Sequence, residues 1–149
     1  MSKLAGEFVE ALKRLEKTGE VGAILNLFRE DADVSNPILS GEGKGSDEPD
    51  RFWRDYRGSF DEIASDFRTV ASENGTAFLE WESRGTIGGK PFRYAGVSVL
   101  EEEEGKIVAF RTYFDPRQLP AAQKTKDGRS ELDRAQEELA EQRAQGGYA

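Results

Sequence analysis

Leu4, Phe8, Ala11, Leu12 and Leu15 recur at three- and four-residue steps, the one-sided stripe of an amphipathic helix. Thr18-Gly19 ends that helix, and Val21, Ile24, Leu25 and Phe28 repeat the spacing over a shorter stretch, predicting a second, short one. Asp31 to Pro37 (DADVSNP) reads as an exit into a short strand, which the proline stops because it has no N–H for a ladder. Gly41 to Gly45 predicts a loop. Ser46 then suits the N-cap of a third helix, with acidic residues in its first turn where the helix dipole favours them. That helix carries Phe52, Trp53, Tyr56 and Phe60 as an aromatic stripe at helical spacing.

From Asp61 the period changes. Ile63 to Ser72, Thr76 to Ile87, Phe92 to Glu102 and Lys106 to Phe114 each read as a strand. Between them stand turn signals: Glu73-Asn74-Gly75, Gly88-Gly89 and Glu103 to Gly105. Asp115-Pro116 closes the series. Beyond it the chain turns polar, with a linker-like stretch from Lys124 to Arg129. Ser130 and Asp133 then form a capping-box start for a last helix whose apolar stripe is only Leu132, Ala135 and Leu139. No internal repeat is present. The expected organisation is a domain over 1–118 and a polar linker with a surface helix over 119–149. The expected fold class is α+β: a curved antiparallel sheet closed by three N-terminal helices into a cone-shaped pocket, plus the C-terminal tail helix.

Composition narrows the chemistry. The chain of 149 residues has neither cysteine nor histidine. Thiolate nucleophiles, disulfides, Cys-based metal sites and any Ser–His–Asp triad are therefore excluded, and proton transfer falls to Asp, Glu, Tyr, Lys or a held water. A net charge of −8 opposes nucleic acid as a partner. No apolar run is long enough for a membrane span, and MSKLAGEFVE lacks a signal-peptide layout, so the expected location is cytoplasmic. Two apparent motifs do not hold. Asp31, Asp33, Ser35, Ile38 and Glu42 match calcium-loop positions, but Asn36 and Pro37 occupy its turn; GEGKGS (Gly41 to Ser46) lacks the spacing of a phosphate loop. Glu101 to Glu104 reads as a solvated hairpin turn, and Arg111 and Glu82 as cross-strand pairing on an outer face.

LNLFREDADVSNP, GKGSDEPDRFW and GKIVAFRTYFDP resemble the nuclear-transport-factor-2-like superfamily, in particular its SnoaL-like branch, over roughly residues 4–118. That superfamily covers isomerases, cyclases, hydrolases, dehydratases and non-catalytic binders, so the resemblance implies a fold more than a reaction. Ketosteroid isomerases in it carry an acid base, an oxyanion-hole tyrosine and a protonated acid; the matching positions here are Asn36, Phe8 and Val97. Limonene-epoxide hydrolases carry an Asp–Arg–Asp set with a tyrosine and an asparagine. Of these only the asparagine is retained, as Asn36; Val34, Trp81, Ser83 and Thr112 stand at the others.

What the resemblance then implies is a pocket for a small apolar or amphipathic molecule. Its expected lining is Asn36, Trp81, Ser83, Val97, Phe110, Thr112 and Phe114, with Phe8, Leu12, Trp53 and Tyr56 nearby. Strand alternation supports the grouping, since 81 with 83, and 110 with 112 and 114, share faces. Asn36 is the candidate to orient a substrate or water and Tyr56 the candidate proton donor. The expected chemistry is cofactor-free and metal-free isomerisation, cyclisation, dehydration or hydrolysis, with non-catalytic binding or assembly as the alternative. Homodimerisation through the outer sheet face is expected from the same resemblance.

Overall fold

The computed structural model describes residues 2–36 and 48–120. Helix α1 spans Lys3–Thr18, and its ends are those the chain dictates. The Ser2 hydroxyl accepts the Ala5 N–H at 3.1 Å, and Gly19, at a φ of 79°, sends its own N–H to the Leu15 carbonyl at 2.8 Å. Helix α2 is a single turn, Gly22–Leu25; strand β1 follows as Phe28–Ser35, then helix α3 as Glu48–Gly58. Strands β2 (Glu62–Glu73), β3 (Thr76–Ile87), β4 (Lys90–Glu103) and β5 (Lys106–Phe114) lead to a short 3₁₀ turn at Pro116–Gln118. The hairpins turn on Asn74-Gly75, Gly88-Gly89 and Glu104-Gly105, both residues of each pair having positive φ. That geometry matches the twist of the flanking strands. Among the described residues no helix is long and apolar enough to cross a membrane.

Three expectations change. Phe28 opens β1 instead of ending the second helix: from it onward the buried residues are Phe28, Ala32 and Val34, a strand-like pattern interrupted by a bulge. The sheet is curved but mixed, not wholly antiparallel. Its order is β1-β5-β4-β3-β2, and β1 pairs in parallel with β5. The reason is topological: α3 carries the chain from β1 to the far edge, and four antiparallel strands then return it beside β1 running the same way. Finally, the three helices do not precede the sheet as a block, since β1 lies between α2 and α3. The predicted N-cap at Ser46, the loop before it and the tail helix lie outside the described residues.

Helices α1 and α3 cover one face of the sheet. A large core fills the space between them, with Phe8, Leu15, Ile24, Leu79, Leu100 and Ile107 almost wholly buried. A second cluster, Phe60, Ile63, Trp81, Ile87 and Tyr94, continues along the same face and takes Leu119 against it. The opposite face is charged in cross-strand pairs: Glu82 accepts from Arg68 and Arg93, both at 2.8 Å, and Arg111 meets Glu101. Such exposed pairs contribute little stability each.

Candidate functional site

Strand register builds a cavity row by row, because residues directly opposite in an antiparallel pair share a face. Ser65, Ser83 and Tyr94 stand across β2, β3 and β4. The next row is Phe67, Trp81, Gly96 and Phe114; then come Leu79, Ser98 and Thr112, and then Ala77, Leu100 and Phe110. Along these rows the inward positions are odd on β3 and on β2 up to the bulge after Phe67, and even on β4 and on β5 from Phe110 onward. From above, α1 lowers Phe8 and Leu12 onto these rows, and α3 lowers Phe52, Trp53 and Tyr56. Between them lies a cavity of about 40 Å³, counted as room for the centre of a water-sized sphere. This is space for a few waters; a ligand of benzene size fills it only if the aromatic walls move apart.

Nine of the eleven residues expected from sequence line this cavity: Phe8, Leu12, Trp53, Tyr56, Trp81, Ser83, Phe110, Thr112 and Phe114. Two do not. Val97 is on the outer face and 37% exposed, since inward positions on β4 are even-numbered; Ser98 takes the place expected for it. Asn36 follows the end of β1 and is not on the cavity wall. Phe52, Ser65, Tyr94 and Ser98 join the lining without having been expected.

The walls are aromatic. Trp53 packs on Phe110 at 5.1 Å between ring centroids and on Phe8 at 5.8 Å, and Trp81 meets Tyr94 edge-on at 4.9 Å. The polar groups form two sets. In one, the Trp81 indole N–H donates to Ser98 Oγ and Ser98 donates to Thr112 Oγ1, each at 2.9 Å. In the other, Glu16 is the centre. It lies in the last turn of α1, is only 4% exposed, and stands behind the wall formed by Tyr56 and Ser65. Its Oε2 accepts from Tyr56 Oη and from Ser65 Oγ, both at 2.6 Å, and its Oε1 accepts the Ser65 N–H at 2.9 Å. Ser65 has one hydroxyl proton and gives it to Glu16. Ser83, 2.5 Å away, is therefore the donor in the Ser65–Ser83 contact.

Glu16 was legible in a way that residue type conceals. Leu4, Phe8 and Leu12 are spaced by four, and the next step on that buried row is Glu16. A carboxyl continuing an apolar helix face must be paired, and here three donors meet it.

Two tyrosines flank this centre. Burial first, and then neighbouring Tyr94 and Glu16, hold the Tyr56 phenol well above the usual tyrosine range. Burial first, and then Glu16, does the same for Tyr94. Both are therefore protonated donors at neutral pH. Tyr56 has already directed its proton to Glu16. The Tyr94 hydroxyl, in contrast, makes no hydrogen bond among the described residues, and neither does the buried Trp53 indole N–H.

Comparison with known proteins follows the same outline. The SnoaL-like domain family matches residues 6–110. No curated protein sequence matches the chain. Among solved structures, an NTF2-like protein from Anabaena variabilis is similar at 25% identity and a TM-score of 0.69, over 76% of this chain and 87% of that one. An LEH-like epoxide hydrolase from M. tuberculosis is similar at 18% identity and a TM-score of 0.63, over 78% of this chain and 86% of that one. TerC, co-crystallised with polyporic acid, is similar at 15% identity and a TM-score of 0.64, over 76% and 92%. With a family match over residues 6–110 and the sheet and helices in that arrangement, the chain belongs to the SnoaL-like family of the nuclear-transport-factor-2-like superfamily.

Proposed function

We propose that this protein holds a small, largely apolar molecule in a cone-like pocket between the sheet and helices α1 and α3, and acts on it by cofactor-free isomerisation, cyclisation, dehydration or hydrolysis. The observation that carries this reading is an aromatic cavity with a buried carboxyl–hydroxyl network at one wall. A purely structural core has no need to set a carboxyl group and six hydroxyl groups around one space, since burying such groups is costly unless each is paired. The similarity to an epoxide hydrolase and to a protein crystallised with polyporic acid supports the same ligand class. Tyr56 is the candidate proton donor in this reading, and a ligand oxygen must compete with Glu16 for its proton. Asn36 carries no part of it, being off the wall.

A thermal-shift screen against terpenoid, steroid and polyketide-like carbonyl compounds and epoxides tests the binding. A ligand at 100 times its Kd adds about 2.7 kcal/mol, on the order of 5–10 °C for this size. A panel without any shift sinks the reading. A compound that binds and is recovered unchanged after long incubation favours the alternative, a non-catalytic binding module. That alternative draws on the network itself, because most of its protons already have partners within the protein.

The chain's partner in this proposal is a second copy. Phe78, Val97 and Tyr113 are 47%, 37% and 56% exposed, and register places them together on the outer face of β3, β4 and β5. Large apolar side chains grouped on an otherwise charged face suit burial against a partner. The expected result is a dimer by solution mass measurement at micromolar concentration, converted to monomer by Tyr113→Glu. A wild-type monomer rejects it.

A further inference from the structure

Glu16 is a buried charge without a counter-charge. It is only 4% exposed, accepts three hydrogen bonds and donates none, which is the pattern of a carboxylate. Its donors are two hydroxyls and a backbone amide, all neutral, and no ion pair among the described residues includes it. Its place adds to the field, since the last turn of α1 ends in carbonyls that carry the negative end of the helix dipole. Uncompensated buried charge is costly, and a cation brought beside it lowers that cost.

The cavity in front of Glu16 is made of groups that suit a cation. Tyr56 Oη and Ser83 Oγ are on its wall, and each sends its one proton into the protein, Tyr56 to Glu16 and Ser83 to Ser65. What both offer a guest is lone pairs. Most of the remaining wall is aromatic, and the faces of such rings are negative. Trp53 with Phe110 and Trp81 with Tyr94 cross at 60° and 73°, so they do not cover each other's faces as a stack would. No lysine or arginine lines the cavity to supply the missing charge from within. A metal ion is a poor occupant, because it needs several oxygen ligands and no acidic cluster among the described residues could hold one. An alkylammonium ion meets both walls, its N–H groups donating to hydroxyl oxygens and its methyl groups lying on rings.

Resting on the pocket reading above, we infer that the molecule held here carries a compact positive charge, so that the substrate class is small alkylamines in their ammonium form. The ammonium group sits against Tyr56 Oη and Ser83 Oγ. Glu16, behind them, sets the preference for cations without touching the ligand.

Dimethylammonium, ethanol and formate are of a size for a space that holds a few waters, and they differ in charge. Both tryptophans of the chain, Trp53 and Trp81, are buried in the cavity wall, so intrinsic fluorescence reports occupancy and ignores cations held on the acidic surface. Ligand-observed NMR is the second reading, in about 0.15 M sodium chloride to screen surface charge. For the wild-type protein at neutral pH, dimethylammonium is expected to bind about 10-fold or more tightly than ethanol, and formate more weakly than either. Glu16→Gln is expected to bring dimethylammonium to within about 3-fold of ethanol. The wild-type ranking needs no variant to fold, so it stands even if Glu16→Gln does not. Ethanol or formate binding as tightly as dimethylammonium overturns the inference and leaves a ligand-binding cavity in place. An undiminished preference in folded Glu16→Gln overturns the part given to Glu16. If none of the three binds, the inference falls, and the pocket reading is decided by its own compound panel.

Discussion

Phe8→Ala is expected to lower stability by about 3–5 kcal/mol, the range for removing a wholly buried aromatic ring. Phe8 has no exposed surface and packs against both Trp53 and Phe110, at 5.8 and 5.4 Å between centroids, so it joins α1 to α3 and to the sheet. Its loss removes apolar burial and leaves a void, because neighbouring rings fixed on three separate elements cannot all collapse inward. The same void adjoins the cavity, which grows toward the roughly 150 Å³ known to accept benzene when its walls are apolar. Benzene or toluene should therefore raise the melting temperature of Phe8→Ala and leave the wild type unmoved. Chemical denaturation measures the first effect and thermal shift the second. A loss below about 1 kcal/mol would show that Phe8 is not the keystone of this contact.

The other large effect concerns Gly85, which faces Ile63 across β2 and β3. A Cβ at this position would stand 1.9 Å from the Glu62 carbonyl oxygen, 2.8 Å from its carbon and 3.0 Å from the Ile63 Cα. All three are backbone atoms, so no side chain can swing aside. Gly85→Ala can be accommodated only by moving β2, and β2 carries Ser65, the residue that gives Glu16 two of its three hydrogen bonds. Overpacking a well-packed core whose side chains can shift costs about 1–3 kcal/mol. Against fixed backbone the expected loss is about 3 kcal/mol or more, with weakened amide protection from Glu62 to Ser65 by hydrogen exchange. Gly58→Ala, where an added Cβ meets nothing within 4 Å, serves as the control and should change little. A neutral Gly85→Ala would mean that β2 yields more easily than a paired strand should.

What was legible in the sequence was whatever a period or a turn encodes locally. Strands β3 and β5 begin and end where alternation and the Asn74-Gly75, Gly88-Gly89 and Glu104-Gly105 turns place them. The stripe from Leu4 to Leu15 gives α1 and its buried side. What was not legible depends on partners. Alternation within Asp31 to Ser35 says nothing about whether the neighbouring strand runs parallel, so the pairing of β1 with β5 was hidden. Val97 was placed by likeness to another family, whereas the pairing of Trp81 with Gly96 sets the even positions of β4 inward and so brings in Tyr94 and Ser98. Glu16 was hidden differently. Its position on the helix was plain, but a charged residue is read as solvent-facing unless its donors, here on α3 and β2, are known.

The parallel pairing of β1 with β5 also orders events during synthesis. Val34 leaves the ribosome early, yet its partner Phe110 is made only after every other strand. At about 5–20 residues per second the delay is on the order of several seconds. Throughout it the hairpins of β2, β3 and β4 can zip, since their turns are local. Strand β1 must wait for its ladder, since its parallel partner β5 is not yet made. The nascent chain therefore carries β1 without its ladder partner until its last strand arrives, and the wall formed by Phe110, Thr112 and Phe114 is the final side of the cavity to be made.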